Sequence, residues 1–391
     1  MISSMTRREA RSYIRQALID DRAVNRVDES AGFYLTQKCP LRCDHCYIDS
    51  HPNRTERMEQ RELLAWIDEL AAIPSVKYLV FSGGEAFLER EMLAEALARA
   101  ASYDFFTTVI TSAYWARDPA IARREVERLA GLSHLIVSVD QPHEAFVPLP
   151  HVRNAVLAAK EFGVLSTVGI GMYASEHADA AYRQELIGLI RVYCGQPDRV
   201  VSQQFELVGR GARQLSPARL ELSGQFPGGT CPIMSPVVDT DGSVYTCCGI
   251  GPPVRRDDPH LVGNAREEAL GAILQRQQAD WLLQLLRTHG PVEVARQAVE
   301  AGLESQLGGR YESGGVCALC HDVLSKPAIV AASRQALQDR KLRREIAVRR
   351  FAIYGEEQML KLLEVDATEQ TPLAARSESP SKEVLQAGVP P

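Results

Sequence analysis

The stretch GFYLTQKCPLRCDHCY, residues 32–47, carries a β-favouring run straight into three cysteines, Cys39, Cys43 and Cys46, at spacings of x3 and x2. A short strand that empties into a loop of thiolates can wrap one soft metal centre. A structural zinc ion would want a fourth protein ligand, for which His45 and His51 stand close by, but His45 lies between two of the cysteines. Three cysteines instead suit a cubane iron–sulfur cluster that keeps one iron without a protein ligand, and an open coordination position is what a catalytic centre needs.

Beyond this loop the chain alternates β-rich runs with amphipathic helical stretches, the mark of repeated βα units. The expected strands are 32–36, 76–82, 106–111, 134–140, 164–171 and 200–208, six rather than eight. Between them ERMEQRELLAWIDELAAI, EREMLAEALARAA, DPAIARREVERLAG and HVRNAVLAAKEFG repeat apolar residues at helical steps, with Gly131 and Gly163 as C-terminal stops. Parallel strands joined by crossover helices gather function at their C-terminal ends. There the sequence places SGGEAF (82–87), Thr111 and Ser112, Ser138 and Asp140, and finally Arg210 in ELVGRGAR. Gly83 and Gly84 permit close backbone approach and Glu85 adds a carboxylate. The hydroxyls and Asp140 suit ribose and polar groups at a barrel mouth, or helix caps; Arg210 suits a site or a surface charge. His143, Glu144 and His151 follow Asp140 closely and read as solvent-exposed loop residues.

On these residues the chain resembles the radical S-adenosylmethionine (radical SAM) superfamily: CPLRCDHCY is similar to its C-x3-C-x-aromatic-C signature, with His45 in the aromatic position. The resemblance implies a partial (β/α)6 TIM barrel in which Cys39, Cys43 and Cys46 hold a [4Fe–4S] cluster. SAM chelates the open iron and is cleaved by one electron to methionine and a 5'-deoxyadenosyl radical. SGGEAF resembles the family's GGE motif, so Gly83, Gly84 and Glu85 are expected at the SAM amino group; Ala86 replaces the common proline. By the same analogy Thr111, Ser112 and Ser138 contact SAM, Asp140 faces the substrate, and Arg210 belongs to a GRG-like turn beneath the adenine.

Nine cysteines are too unevenly placed for a disulfide scaffold. After the first three come Cys231, Cys247 and Cys248, then Cys317 and Cys320, with Cys194 alone. Four thiolates can ligate one cluster or one zinc ion, and spacing does not separate the two. A hairpin turn expected at Asp241-Gly242 would bring Cys231 and Cys247 to one end of a ribbon. The region resembles the auxiliary-cluster part of radical SAM enzymes, in the shortened form of the SPASM pattern called a twitch domain. That resemblance implies an auxiliary [4Fe–4S] cluster on Cys231, Cys247, Cys317 and Cys320. Cys248 is expected as a buried bystander rather than a ligand or catalytic thiol, and Cys194 as a core thiol.

The remaining organisation follows from composition. In 391 residues, 45% hydrophobic and 24% charged, there is ample material for a large domain plus a smaller one. The expected division is an N-terminal helical extension (1–30), the barrel core (31–215), the auxiliary-cluster region with a helical insertion (216–330), a basic helix (331–364) and a disordered tail (365–391). A net charge of -6 gives no general pull toward nucleic acid or anionic membrane, and no stretch approaches a membrane span, so a cytoplasmic protein is expected. The Arg/Lys stretch 340–350 reads as a solvated helix face.

The leading functional expectation is modification of a ribosomally made peptide by cross-linking, epimerisation or oxidation. Its alternatives are a small-molecule dehydrogenase or cyclase acting on a sugar or aminocyclitol, and a non-catalytic iron–sulfur electron carrier. The open-iron loop together with SGGE argues against the last. The expected partners are SAM, the substrate, a reductant such as flavodoxin or ferredoxin, and a separate leader-peptide-binding protein.

Overall fold

A computed structural model describes residues 5–20, 29–216, 219–231, 235–249, 256–313 and 315–359. The expected tail, 365–391, and parts of the N-terminal extension lie outside the described residues. The chain divides into two compact units, Met1–Asp339 and Arg340–Pro391.

Six parallel strands form the centre of the first unit: β1 (Ser30–Tyr34), β2 (Tyr78–Ser82), β3 (Phe106–Thr111), β4 (His134–Val139), β5 (Leu165–Met172) and β6 (Arg199–Gln204). The helices are α1 (Arg7–Ile19), α2 (Gln60–Ala71), α3 (Arg90–Ser102), α4 (Pro119–Glu127), the short α5 (Gln141–Glu144), α6 (Leu149–Glu161), α7 (Ala174–Ala178), α8 (Ala180–Tyr193) and α9 (Gly211–Gln214). The periodicity works as the sequence suggests. In α2 the residues Leu63, Trp66, Ile67 and Leu70 turn inward, and α4 starts at Asp118, whose carboxylate caps two backbone N–H groups ahead of Pro119. Their apolar faces and the strands share one core, in which Phe33 and Phe81 stack at 5.8 Å.

The sheet does not end at the six strands. Beside β1 runs a parallel two-residue strand, β8 (Val237–Val238), followed outward by antiparallel β9 (Ser243–Tyr245) and β10 (Leu261–Asn264), giving the order β10-β9-β8-β1-β2-β3-β4-β5-β6. The expected hairpin turn is present, with Gly242 at φ 83°. The second cysteine region is thus built onto the edge of the barrel sheet. Trp66 of α2 donates from Nε1 to the Ala265 carbonyl, fastening it further. A separate pair, β7 (Leu222–Ser223) and β11 (Tyr311–Glu312), lies apart from this sheet.

The helical insertion differs from expectation. In place of helices over 264–287 and 292–307, it forms α10 (Leu270–Ala279), α11 (Trp281–His289) and α12 (Pro291–Glu300), with Gly290-Pro291 separating the last two. Then come α13 (Cys317–Leu324), which carries two of the cysteines, and α14 (Pro327–Ala336). The second unit begins with α15 (Arg340–Tyr354), where Arg350 pairs with Glu356 at 2.7 Å.

At the N-terminal end of the barrel, α1 packs Ala10, Ile14 and Leu18 against Phe106 and Leu165. Arg7 of the same helix donates to the carbonyls of Leu70, Ala71, Ile73 and Val76, so it ties the helix to the α2–β2 connection. No helix among the described residues is long and apolar enough to cross a membrane.

Candidate active site

Every expected motif of the barrel sits at the C-terminal ends of its strands, and the cysteine loop is held there from two sides. On one side is the Gly-Gly turn after β2. The Gly84 N–H donates to Thr36 O at 2.6 Å and the Glu85 N–H to Lys38 O at 3.0 Å. A Cβ on Gly83 would stand 2.4 Å from Thr36 O, and one on Gly84 2.1 Å from Lys38 O, so only glycine lets the two backbones meet. On the other side is the turn after β6. Arg210 is 2% exposed, hence no surface charge; it donates to Cys43 O (3.0 Å), Ser50 O (2.6 Å) and Asp49 Oδ1 (2.8 Å). Its own N–H donates to Cys46 O at 2.9 Å. The guanidinium fork therefore grips the loop that carries the thiols.

Glu85 is buried and accepts four hydrogen bonds: from Thr111 Oγ1 (2.7 Å), Phe87 N (3.2 Å), Ser112 N (2.9 Å) and Ser112 Oγ (2.6 Å). Burial pushes its carboxyl up, against those four bonds. Thr111 and Ser112 are thus partners of Glu85 and lock the end of β3 to the Gly-Gly turn. Ser138 is half-buried on β4, opposite Gly169.

The fourth strand leads to a trio of which the sequence reading named Asp140 and His45 but missed His143. Nδ1 of His143 lies 2.7 Å from Asp140 Oδ1, and Nε2 of His45 lies 3.6 Å from Asp140 Oδ2. His143 is largely buried, not a loop residue in water, and also hydrogen-bonds Cys43. Burial disfavours its charge, but Asp140 and Cys43 outweigh that and raise it to about 10. Burial lowers His45 to about 4, leaving a neutral ring beside Phe205 at 4.7 Å between centroids. The spacing Asp140-x2-His143 is that of a helix N-cap and its N3 residue, the one signal that could have flagged the pair.

The second cysteine set assembles around the same mouth. Cys247 follows β9, and Cys317 and Cys320 stand one turn apart on α13. Burial pushes the thiols of Cys247, Cys317 and Cys320 well up, and Cys231 adds to the effect on each of them, as a close neighbouring thiol does. Glu206, two residues past β6, accepts the Cys317 N–H at 3.1 Å and links the barrel to this set; burial raises its carboxyl to about 7. Cys248 departs from the expected buried bystander: it is exposed, and its carbonyl accepts from the Tyr34 hydroxyl. Cys194 is fully buried in the core, as expected.

Residues 33–173 match the family model described as the radical SAM superfamily. The chain carries a radical SAM domain. It is 20% identical to the putative peptide biosynthesis protein YydG of Bacillus subtilis, over 75% of this chain and 91% of that protein. It is 35% identical to the PqqA peptide cyclase of Granulibacter bethesdensis, over 27% of each chain. Among solved structures, native anSMEcpe with bound AdoMet and Cp18Cys peptide aligns with a TM-score of 0.46 and 12% identity, covering 78% of this chain and 99% of that one.

A radical SAM domain implies SAM and a [4Fe–4S] cluster, and the residues present fit both. Cys39, Cys43 and Cys46 are a soft three-thiolate set with no fourth cysteine in the loop. The Gly-Gly cradle brings a second backbone against that loop. Nδ1 of His45 is buried without a hydrogen-bond partner among the described residues, as expected of an atom that meets a bound molecule.

Proposed function

We propose that Cys39, Cys43 and Cys46 ligate a [4Fe–4S] cluster at the barrel mouth and that the enzyme modifies a ribosomally made peptide, by cross-linking, epimerisation or oxidation. The similarity to YydG, which runs over 91% of that protein's length, carries the peptide reading. When bound, the cluster and SAM supply a 5'-deoxyadenosyl radical that removes a hydrogen atom from the substrate.

The chain's own residues perform the positioning. Arg210 and the Gly-Gly turn fix the cysteine loop, and Glu85 joins that turn to β3 through Thr111 and Ser112. In this reading Gly83, Gly84, Ser138 and His45 line the SAM site and Asp140 faces the substrate. His143 fixes the Asp140 carboxylate through its ring and its backbone N–H, at 2.7 and 3.0 Å. Cys231, Cys247, Cys317 and Cys320 hold an auxiliary [4Fe–4S] cluster within a twitch-like region, 216–330, that follows the barrel core, 31–215. A flavodoxin or ferredoxin in the cytoplasm serves as reductant, and a separate protein holds the leader peptide.

The test is anaerobic reconstitution with iron and sulfide counts and an assay of reductant-dependent 5'-deoxyadenosine. The expected parent holds about eight irons, and a Cys39/Cys43/Cys46→Ala protein keeps about four and makes no 5'-deoxyadenosine. A mass change in a short precursor peptide, should a gene for one be found beside this gene, supports the peptide substrate. Turnover of a sugar or aminocyclitol, with that peptide untouched, overturns it.

A further inference from the structure

One of the second-set cysteines has a neighbour that the proposed function leaves unused. Sγ of Cys320 lies 3.6 Å from Nε2 of His260, and Nδ1 of the same ring lies 2.8 Å from Asp258 Oδ1. The His260 backbone N–H also donates to that oxygen, at 3.0 Å. One carboxylate thus fixes both the place and the rotation of the ring. His260 is 3% exposed and Asp258 8%, and His321, next to Cys320 on α13, packs over the ring at 4.8 Å.

The same residue is tied to a second cysteine of the set. The carbonyl of His260 accepts from the N–H of Thr246, which immediately precedes Cys247. Through its ring His260 reaches α13, and through its backbone it reaches the end of β9, so it spans the two elements that present Cys320 and Cys247. The first cysteine set has an equivalent chain, in which Asp140 orients His143 and His143 meets Cys43.

An imidazole carries a donor at both nitrogens only when both are protonated, the form that a ring set between a carboxylate and a ligating sulfur can use toward both. A donor aimed at a ligating thiolate draws electron density from it and favours the more negative, reduced state of the metal centre; such contacts are among the main levers on iron–sulfur potentials. We propose that His260, oriented by Asp258, donates a hydrogen bond to the Cys320 thiolate and raises the reduction potential of the second centre. This rests on the reading that the second cysteine set holds a cluster. His260 is a positioning and tuning residue, not a ligand.

The test uses the full-length chain with Cys39, Cys43 and Cys46 changed to Ala, reconstituted without oxygen, so that the second centre is observed alone. Iron, sulfide and zinc are counted, and the centre is titrated by EPR against ambient potential. His260→Phe keeps a ring and removes the donor, His260→Gln keeps a neutral N–H, and Asp258→Asn loosens the orientation. The expected result is unchanged iron in all three. At fixed ambient potential the reduced-to-oxidised ratio falls about tenfold in His260→Phe, equal to about 59 mV for a one-electron couple, and falls less in the other two.

Should His260→Phe fail to fold, His260→Gln and Asp258→Asn still read the effect. Potentials equal to the parent's in all three variants overturn the proposal, and so does iron lost from both His260 variants, which would make the ring a ligand. Zinc without sulfide in the starting protein overturns the cluster reading itself, before any change at His260.

Discussion

Gly84→Ala is the sharpest test of how the cysteine loop is held. The new Cβ would lie 2.1 Å from the Lys38 carbonyl oxygen and 2.5 Å from its carbon. Both are backbone atoms, so no side-chain rotation relieves the contact, and non-bonded carbon and oxygen need a separation above 3 Å. The Lys38 carbonyl must retreat by about 1 Å, and the next residue is Cys39. Overpacking of this kind costs about 1–3 kcal/mol in stability, and a displacement of about 1 Å at a reacting centre costs on the order of 10²-fold in rate. The expected variant folds with a lowered Tm, loses about four of its irons, and makes 5'-deoxyadenosine at most at about 1% of the parent rate. Gly188→Ala is the control. It sits in α8 with nothing within 4 Å of the added Cβ, and gains up to about 1 kcal/mol of helix propensity. The measurements are iron per chain, the EPR signal of the first centre and the initial rate. A Gly84→Ala protein with parental iron and rate would refute the argument that the Gly-Gly turn seats the loop.

Arg210→Met should strip donors from the buried Cys43 and Ser50 carbonyls at about 1–3 kcal/mol each, seen as iron released on desalting, while Arg210→Lys recovers part of it because an ammonium lacks the fork. His134, buried between Thr108 and Thr167, titrates at about 3 because burial disfavours its charge, so the unfolded chain takes up its proton first as pH falls below about 6.5. The folded state is therefore expected to lose about 1.4 kcal/mol for each unit below about 6.5, down to its folded value; urea midpoints of parent and His134→Gln should diverge accordingly, and parallel curves would discard the idea. In the reconstituted enzyme, iodoacetamide should label exposed Cys248 ahead of the proposed ligands and Cys194, as read by peptide mass, although its raised thiol slows the reaction; labelling of Cys317 or Cys320 before Cys248 would contradict the second site.

The sequence alone carried the reading of the first cysteine loop and determined the parallel βα order that places it, because both are local: three thiols within eight residues, and apolar periods along single helices and strands. It also carried the Asp241-Gly242 turn, since a tight hairpin needs a positive φ that glycine provides. Boundaries were less legible. The sixth strand stops at Gln204, short of the expected 208, because Phe205 leaves the sheet to pack on His45 and Tyr173.

What only the tertiary structure decided is who meets whom across long separations. Val237–Val238 are too few to show a period, yet they extend the barrel sheet and bring the second cysteine region alongside the first. Arg210 reads as any surface arginine until the loop carbonyls close around it, and His143 reads as an exposed loop residue until Asp140 and Cys43 bury it. His260 carries no sequence signal at all, since its meaning depends on a thiol sixty positions away. Local pattern fixes elements through periodicity and turn chemistry, whereas a site is made by contacts between elements, and those exist only once the sheet has brought its strand ends together.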